Sequence, residues 1–373
     1  MRPAFGSTRS AAAFALLVLI LLLLPAIVGP GQLPSREEIY SSFWWANGPF
    51  PYIHQQIFKE KGDIDIAFVG SSHMAQGINT PYVQEKLGKK LGRPAVVRSI
   101  CWGGAGYDAL YFITRDLLQH RKVHMLVFYD DYNPGWYWAN SLAPRWFRFG
   151  DNAKALSGLS VRFQLSYYFA AIIGMPRNLL SLIRSNIPVD LISKKKNYLE
   201  INFKAPNPAT MLGTSSAHIG FGLDPAPTSE NAPFVDFAPP TDALSSEVSI
   251  YSPATRAMFQ FKGPPTPPLP LYFARKFATQ AQENGAKLVL LHIPIFSERK
   301  DAEIREREFW PDVLRADVTM VGIPPARLFA GMTDDDVRKL YYNSAHLNTN
   351  GQEYFTSIIT PSLLELYAPQ AHR

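Results

Sequence analysis

Apolar and polar positions follow three rhythms along this chain. The first is a continuous one: from Ala11 to Val28 every position is uncharged and almost all are apolar, with Arg2 and Arg9 ahead of the run. As a helix the run rises roughly 27 Å at about 1.5 Å per residue, close to the hydrocarbon thickness of a bilayer. It is also longer than the ~7–15-residue core of a cleaved signal peptide. Both arginines precede the run and no acid accompanies them, so the N-terminus is expected in the cytoplasm, with the chain from about Gly31 onward outside it. No clear small-x-small cleavage site occurs in Pro25-Ala26-Ile27-Val28-Gly29-Pro30, which favours a retained single-pass anchor in the cytoplasmic membrane over a cleaved signal. Phe43-Trp44-Trp45 reads equally as an interfacial aromatic anchor and as packing.

The second rhythm alternates buried-strand runs with helical periodicity. Ile64–Val69 ends at Gly70-Ser71-Ser72-His73, and a helix from about Pro81 to Leu91 is broken by Gly92-Arg93-Pro94. Ala95–Cys101 ends at Gly103-Gly104-Ala105-Gly106 and leads to a helix over about Tyr107–His120. Val123–Tyr129 then runs into Asp130-Asp131-Tyr132-Asn133-Pro134. Three strand-turn-helix units predict an α/β fold: a doubly wound, mostly parallel sheet of flavodoxin-like order, with its site at the C-terminal ends of the strands.

The third rhythm is its absence. From about 135 to 270 the pattern lapses, apart from a helix expected over about Val161–Arg184, and ends in Gly263-Pro264-Pro265-Thr266-Pro267-Pro268. A structureless connection of that length does not suit a compact core, so an insertion, lid or docking surface is expected. The α/β rhythm then resumes: a helix over Leu271–Asn284 closed by Gly285, a strand over Lys287–Ile293, and a charged helix over about Glu298–Glu308. A short strand follows near Ala316–Val321 or Ala326–Phe329, and a closing helix after Gly351. The expected organisation is a cytoplasmic tip and transmembrane anchor over 1–30, a linker or pre-domain segment over 31–62, and one α/β domain over 63–373 interrupted at about 135–270.

Composition narrows this picture. With 373 residues, 47% of them hydrophobic and 13% aromatic, the chain has ample surface to bury and is not wholly disordered. One cysteine, Cys101, excludes an intrachain disulfide and a multi-cysteine zinc site, and it reads as a buried structural thiol. The formal charge of +6 is scattered, Lys194-Lys195-Lys196 being the only basic run of three, and suggests no nucleic-acid partner. No His, Asp or Glu spacing suggests a metal, and no cofactor is expected.

The chemistry gathers at the strand ends. Ser72 stands at the first turn, where a hydroxyl is held above the sheet and helix N–H groups meet developing negative charge. At the second turn Gly104, with Gly103 as its neighbour and competitor, has no Cβ to keep a substrate carbonyl from the backbone N–H. His346 arrives from far along the chain in Tyr341-Tyr342-Asn343-Ser344-Ala345-His346-Leu347-Asn348. A serine, backbone donors and a distant histidine are the parts of an acyl-transfer site.

These residues together resemble the SGNH (GDSL-like) hydrolase superfamily over roughly 63–134 and 271–365. With an N-terminal anchor, the chain is most similar to its extracytoplasmic branch, which includes the alginate O-acetylation proteins and the teichoic-acid D-alanine transfer protein. The resemblance implies Ser72 as nucleophile, His346 as general base, and the amides of Ser72 and Gly104 in the oxyanion hole. It also implies an acyl donor and a cell-surface polysaccharide as substrates, a periplasmic catalytic domain, and work beside a membrane-bound O-acyltransferase (MBOAT). Two positions depart from the family pattern. Asn343 stands where the family has an acid, leaving either a Ser–His dyad or service by Asp334, Asp335 or Asp336. At the third turn Asp130 or Asp131 aligns with the family's oxyanion-donating asparagine; a carboxylate there would repel an oxyanion, and Asn133 reaches the site only if the loop is displaced.

The remaining chemistry-bearing residues read more plainly. His73 is expected as a polar rim residue, His292 as a satisfied core histidine, and His120 and His124 carry no ligand signal. Trp136, Trp138 and Trp146 suit sugar stacking or burial under the insertion. The sequence thus points to serine-dependent acyl transfer or ester hydrolysis. The alternative is a non-catalytic glycan-binding or assembly subunit of an envelope polymer complex.

Overall fold

The computed structural model describes residues 6–27, 37, 40, 50–101, 106–130, 155–167, 242–341 and 343–367. The chain divides into two compact units, Met1–Ser42 with Ser141–Pro188, and Phe43–Asn140 with Val189–Arg373. In the first, helix α1 (Thr8–Ile27) has apolar residues on every face, and Phe14, Leu16, Leu17 and Leu19 are at least half exposed. Among the described residues no helix is long and apolar enough to cross a membrane. The transmembrane span expected over 11–28 is therefore not found among the described residues. The helix expected over 161–184 is present at 161–167, and its remainder lies outside the described residues, as do Phe43-Trp44-Trp45, Lys194-Lys195-Lys196 and the three tryptophans.

The second unit is built from strands β1 (Ile64–Gly70), β2 (Val97–Cys101), β3 (Val123–Phe128), β4 (Ser249–Ile250), β5 (Phe259–Phe261), β6 (Lys287–Leu291), β7 (Ile304–Glu306) and β8 (Val318–Gly322). Six form one sheet in the order β2-β1-β3-β6-β8-β4, parallel except for β4, while β5 and β7 pair separately. The order has β1 between β2 and β3, the doubly wound arrangement that the three strand-turn-helix units predict. The main helices are α2 (Ser72–Gly77), α3 (Thr80–Leu91), α4 (Tyr107–His120), α5 (Pro268–Glu283) and α6 (Thr349–Leu366).

Local chemistry explains these boundaries. Every residue of β1 is buried, as a central parallel strand requires. The one charge in it, Asp65, accepts from Arg93 (2.5 and 3.1 Å), Val96 N (2.7 Å) and Tyr367 Oη (2.6 Å). Burial opposes its ionisation, but these bonds prevail and hold the carboxyl below its ordinary range. Helix α3 starts where Asn79 Oδ1 accepts from Tyr82 N (3.1 Å), and it stops at Gly92, whose φ of 64° is left-handed. At α6, Asn348 Oδ1 accepts from Gly351 N (3.1 Å).

Residues 50–59 are helical, with Tyr52, Ile53, Gln56 and Ile57 buried, so this part of 31–62 is an ordered segment ahead of the sheet. Two expectations are corrected. The chain returns to the sheet at Ser249, where β4 pairs antiparallel with β8, so the insertion does not extend to 270. The charged helix expected over 298–308 is instead one 3₁₀ turn, Phe296–Glu298, followed by β7. Two of its charges look inward: Glu306 is 2% exposed, and Arg307 bonds Asp130. Of the two late strand positions the first holds, as β8; Ala326–Phe329 overlaps a short helix at Pro325–Leu328.

A Cβ added at Gly351 would come within 2.0 Å of Leu340 O and 2.9 Å of Leu347 Cδ2. Backbone cannot yield as a flexible side chain does, so Gly351→Ala is expected to destabilise by about 1–3 kcal/mol, read as a lower thermal midpoint with the fold retained.

Candidate functional site

Ser72 follows β1 directly and opens α2; Ser71 Oγ accepts from His73 N (3.2 Å) and sets the turn. His346 lies in the segment just before α6. The two meet: Ser72 Oγ is 2.9 Å from His346 Nε2, across 274 positions of sequence. Behind the ring, His346 Nδ1 is 3.0 Å from Asn343 Oδ1. The same oxygen accepts from Ala345 N and His346 N, both at 2.9 Å. An atom that accepts from two backbone N–H groups is the amide oxygen and not the nitrogen. His346 Nδ1 therefore carries the proton it donates to Asn343, and the lone pair on Nε2 faces the Ser72 hydroxyl. Burial lowers the pKa of His346 below its ordinary value, so the ring is neutral near pH 7.

Asn343 thus occupies the place behind the ring, and the aspartates considered for it do not. Asp334 pairs with Arg299 (2.6 Å) and Lys300 (3.2 Å), and Asp336 accepts from Thr333 Oγ1 (2.6 Å) in a capping box. Asp335 lies in that same short helix, Asp334–Arg338, and no bond joins it to His346 among the described contacts.

Of the expected oxyanion group, Gly104, Asp131 and Asn133, with Gly103, lie outside the described residues. Asp130 is described, and it is no oxyanion donor: its Oδ1 accepts from Tyr107 Oη (3.0 Å) and from the Arg307 guanidinium. A carboxylate committed to a buried cation has no proton to give an incoming anion.

His73 is not on the rim. Its ring is buried and stacked on Tyr129 (centroids 4.5 Å apart, 7° between planes), and lies 5.7 Å from the His346 ring. Its Nε2 is 3.1 Å from the carbonyl of Ile293, which can only accept, so this nitrogen carries the hydrogen. Burial first, and the neighbouring His346 next, push its pKa down to about 3. It stays neutral where proteins work.

His292 is the core histidine expected, but only one of its ring nitrogens is hydrogen-bonded, and it carries a charge the sequence did not announce. Its Nδ1 is 3.1 Å from Glu306 Oε1, and its Nε2 is 3.3 Å from Glu298 Oε2, the second a charge contact off the line of the N–H. Burial opposes the imidazolium, but the two glutamates overcome it and raise the pKa to about 10. Neither Glu298 nor Glu306 was singled out from sequence, because their spacing reads as the exposed face of a charged helix.

The other candidates are structural. His120 Nδ1 contacts Asp116 O (2.7 Å), His124 pairs with Asp63 (3.1 Å), and the buried Cys101 thiol points to Phe68 O (3.5 Å). Among the described residues no group of three or more His, Cys, Asp or Glu is arranged to hold a metal ion. The chemistry this arrangement offers is removal of a proton from one serine hydroxyl by one oriented, neutral imidazole.

No protein-family model matches the chain, and no curated sequence matches it either.

The ring's orientation makes a direct expectation. In ¹⁵N-histidine spectra His346 shows one dominant tautomer, hydrogen on Nδ1, and Asn343→Ala gives a mixture. Asn343→Asp keeps the tautomer and raises the ring's pKa by about 1–3 units, because a carboxylate at that distance favours the imidazolium.

Proposed function

We propose that this chain catalyses serine-dependent acyl transfer or ester hydrolysis on an SGNH-like fold. Ser72 is the nucleophile, His346 the general base and Asn343 the residue that orients it. The observation that carries the reading is the 2.9 Å contact between Ser72 Oγ and His346 Nε2, with the opposite ring nitrogen fixed by Asn343. The place of Ser72, two residues past the C-terminal end of the central parallel strand β1, supports it as well.

In the first half, Ser72 Oγ attacks the acyl carbonyl while its proton passes to His346 Nε2. The ester C–O bond breaks, and the leaving alcohol takes that proton from the imidazolium. In the second half an acceptor hydroxyl, or water, gives its proton to His346 and attacks the acyl-serine. The bond to Ser72 Oγ breaks, and His346 returns the proton to Ser72. The backbone N–H groups of Ser72 and Gly104 are proposed to steady the oxyanion, with no help from Asp130.

We further assign the acceptor to a cell-surface polysaccharide, outside a cytoplasmic membrane to which α1 attaches the chain and in which an MBOAT-type protein supplies acyl groups. The exposed, all-round apolar surface of α1 supports attachment. The polysaccharide and the MBOAT partner rest on the resemblance to the extracytoplasmic SGNH branch. A second reading, a non-catalytic glycan-binding subunit, is favoured by the amide at 343 and by the commitment of Asp130 to Arg307.

A fluorophosphonate probe separates the two readings. On the catalytic reading the full chain labels at Ser72, Ser72→Ala does not label, and His346→Ala labels ~10²–10⁴-fold more slowly. Only the neutral ring accepts the serine proton, so the rate is full above the pKa of His346 and falls as pH drops through it, at a midpoint below about 6.5. A folded chain that never labels yet retains acylated polysaccharide establishes the second reading.

A further inference from the structure

Beneath the Ser72–His346 pair runs the turn that leaves β6. His292 begins it, tied to the sheet by its N–H to Val321 O (2.8 Å), and Glu298 closes it. Between them three backbone groups reach the site. Ile293 O contacts the ring of His73, the residue after Ser72, at 3.1 Å. Pro294 O accepts from Tyr341 Oη (2.9 Å), and Phe296 N donates to Ser344 O (3.0 Å). The first of these steadies the serine side of the pair. The other two steady the segment that carries Asn343 and His346. One turn is therefore the common seat of both reacting side chains.

What holds the turn in shape is the contact between its ends. Glu298 Oε2 accepts from Ile295 N (3.0 Å) and lies 3.3 Å from His292 Nε2. On its other side His292 meets Glu306, whose second oxygen accepts from Trp310 Nε1 (3.1 Å). His292 and Glu306 are 3% and 2% exposed, so neither charge has water to turn to. The ionisable groups that face this cluster are His73 and Tyr341, one from each side of the reacting pair.

We propose that Glu298 is a positioning residue for Ser72 and His346: by closing the turn onto the charged His292 it holds the seat on which both side chains rest. The inference builds on the catalytic reading of that pair. With a pKa raised to about 10, His292 is positively charged at working pH: it gives its Nδ1–H to Glu306 and meets Glu298 by charge alone, an attraction that a neutral ring would lose. Removing the Glu298 charge leaves the fold its sheet and loosens the seat.

The test uses the full chain in detergent micelles, with fluorophosphonate labelling and ¹⁵N-histidine titration as independent readouts. Glu298→Gln can still accept from Ile295 N and has lost its charge. It is expected to fold, to label about tenfold more slowly, and to show His346 with mixed tautomers and a pKa moved toward its ordinary value. Glu298→Asp keeps the charge with shorter reach and falls between; it carries the test if the amide variant does not fold. Asp65→Asn, at the far end of β1, is the control for lost stability alone and leaves labelling and the His346 signals unchanged. Glu298 variants with normal labelling and an unaltered His346 titration overturn the inference. If the parent chain does not label, the catalytic reading fails on its own, and the His346 tautomer and titration still decide whether Glu298 positions the ring.

Discussion

The site depends on a seam between α6 and the helix that Ser72 begins. Gln352 Nε2 donates to Ala75 O (3.0 Å) and Ile78 O (3.2 Å), while Thr356 Oγ1 accepts from Asn79 N (2.9 Å) and lies 3.5 Å from Gly77 O. Gln352 and Thr356 are one turn apart on α6 and completely buried, so their bonds form without competition from water. Closing a loop of nearly three hundred residues has an entropic cost that grows slowly with length, and the packed core offsets it. Core burial brings the segments together without setting a side-chain distance to within tenths of an ångström. The seam does that, because α2 begins with Ser72 and α6 begins three residues after His346. Close packing adds to it: a Cβ on Gly77 would lie 2.6 Å from Ile293 Cδ1, so helix and turn touch backbone to side chain at that point.

Electrostatics at the site divide into two levels. His73 and His346 are held neutral, chiefly by burial, and each has its tautomer fixed by an oxygen that can only accept: Ile293 O for one, Asn343 Oδ1 for the other. Below them His292 is charged, because two carboxylates outweigh the same burial. Identical side chains thus reach opposite protonation states around one site, and the difference is the neighbouring carboxylates.

Much of the sheet was legible because its signals are local. Predominantly apolar runs mark β1, β2 and β3, Gly92 and Gly285 stop helices with positive φ, and α4 takes the bounds read from its pattern, Tyr107–His120. Ser72 and His346 were legible as a pair of types at the right ends of the right elements. What escaped was charge that pairs over distance. Glu298, Glu306 and Arg307 look like the polar face of a helix until His292 and Asp130 are placed against them, and no spacing along the chain announces such partners. His73 escaped for a related reason: a polar residue beside a catalytic serine reads as exposed, and its burial follows from Tyr129 and Ile293, which the fold brings from other strands.

Asn343 has a chemical consequence that joins these strands of the argument. An amide orients the ring through the same Nδ1–H bond as a carboxylate, but on the proposed mechanism it adds no charge to stabilise the imidazolium that would form when Ser72 gives up its proton. On the proposed mechanism the base works through placement: a fixed tautomer, a serine already at 2.9 Å, and a seat that holds both. A site of that kind tolerates little movement, because geometry is doing what charge does elsewhere. This accounts for the density of buried polar bonds around it, from Gln352 and Thr356 above to His292, Glu298 and Glu306 below.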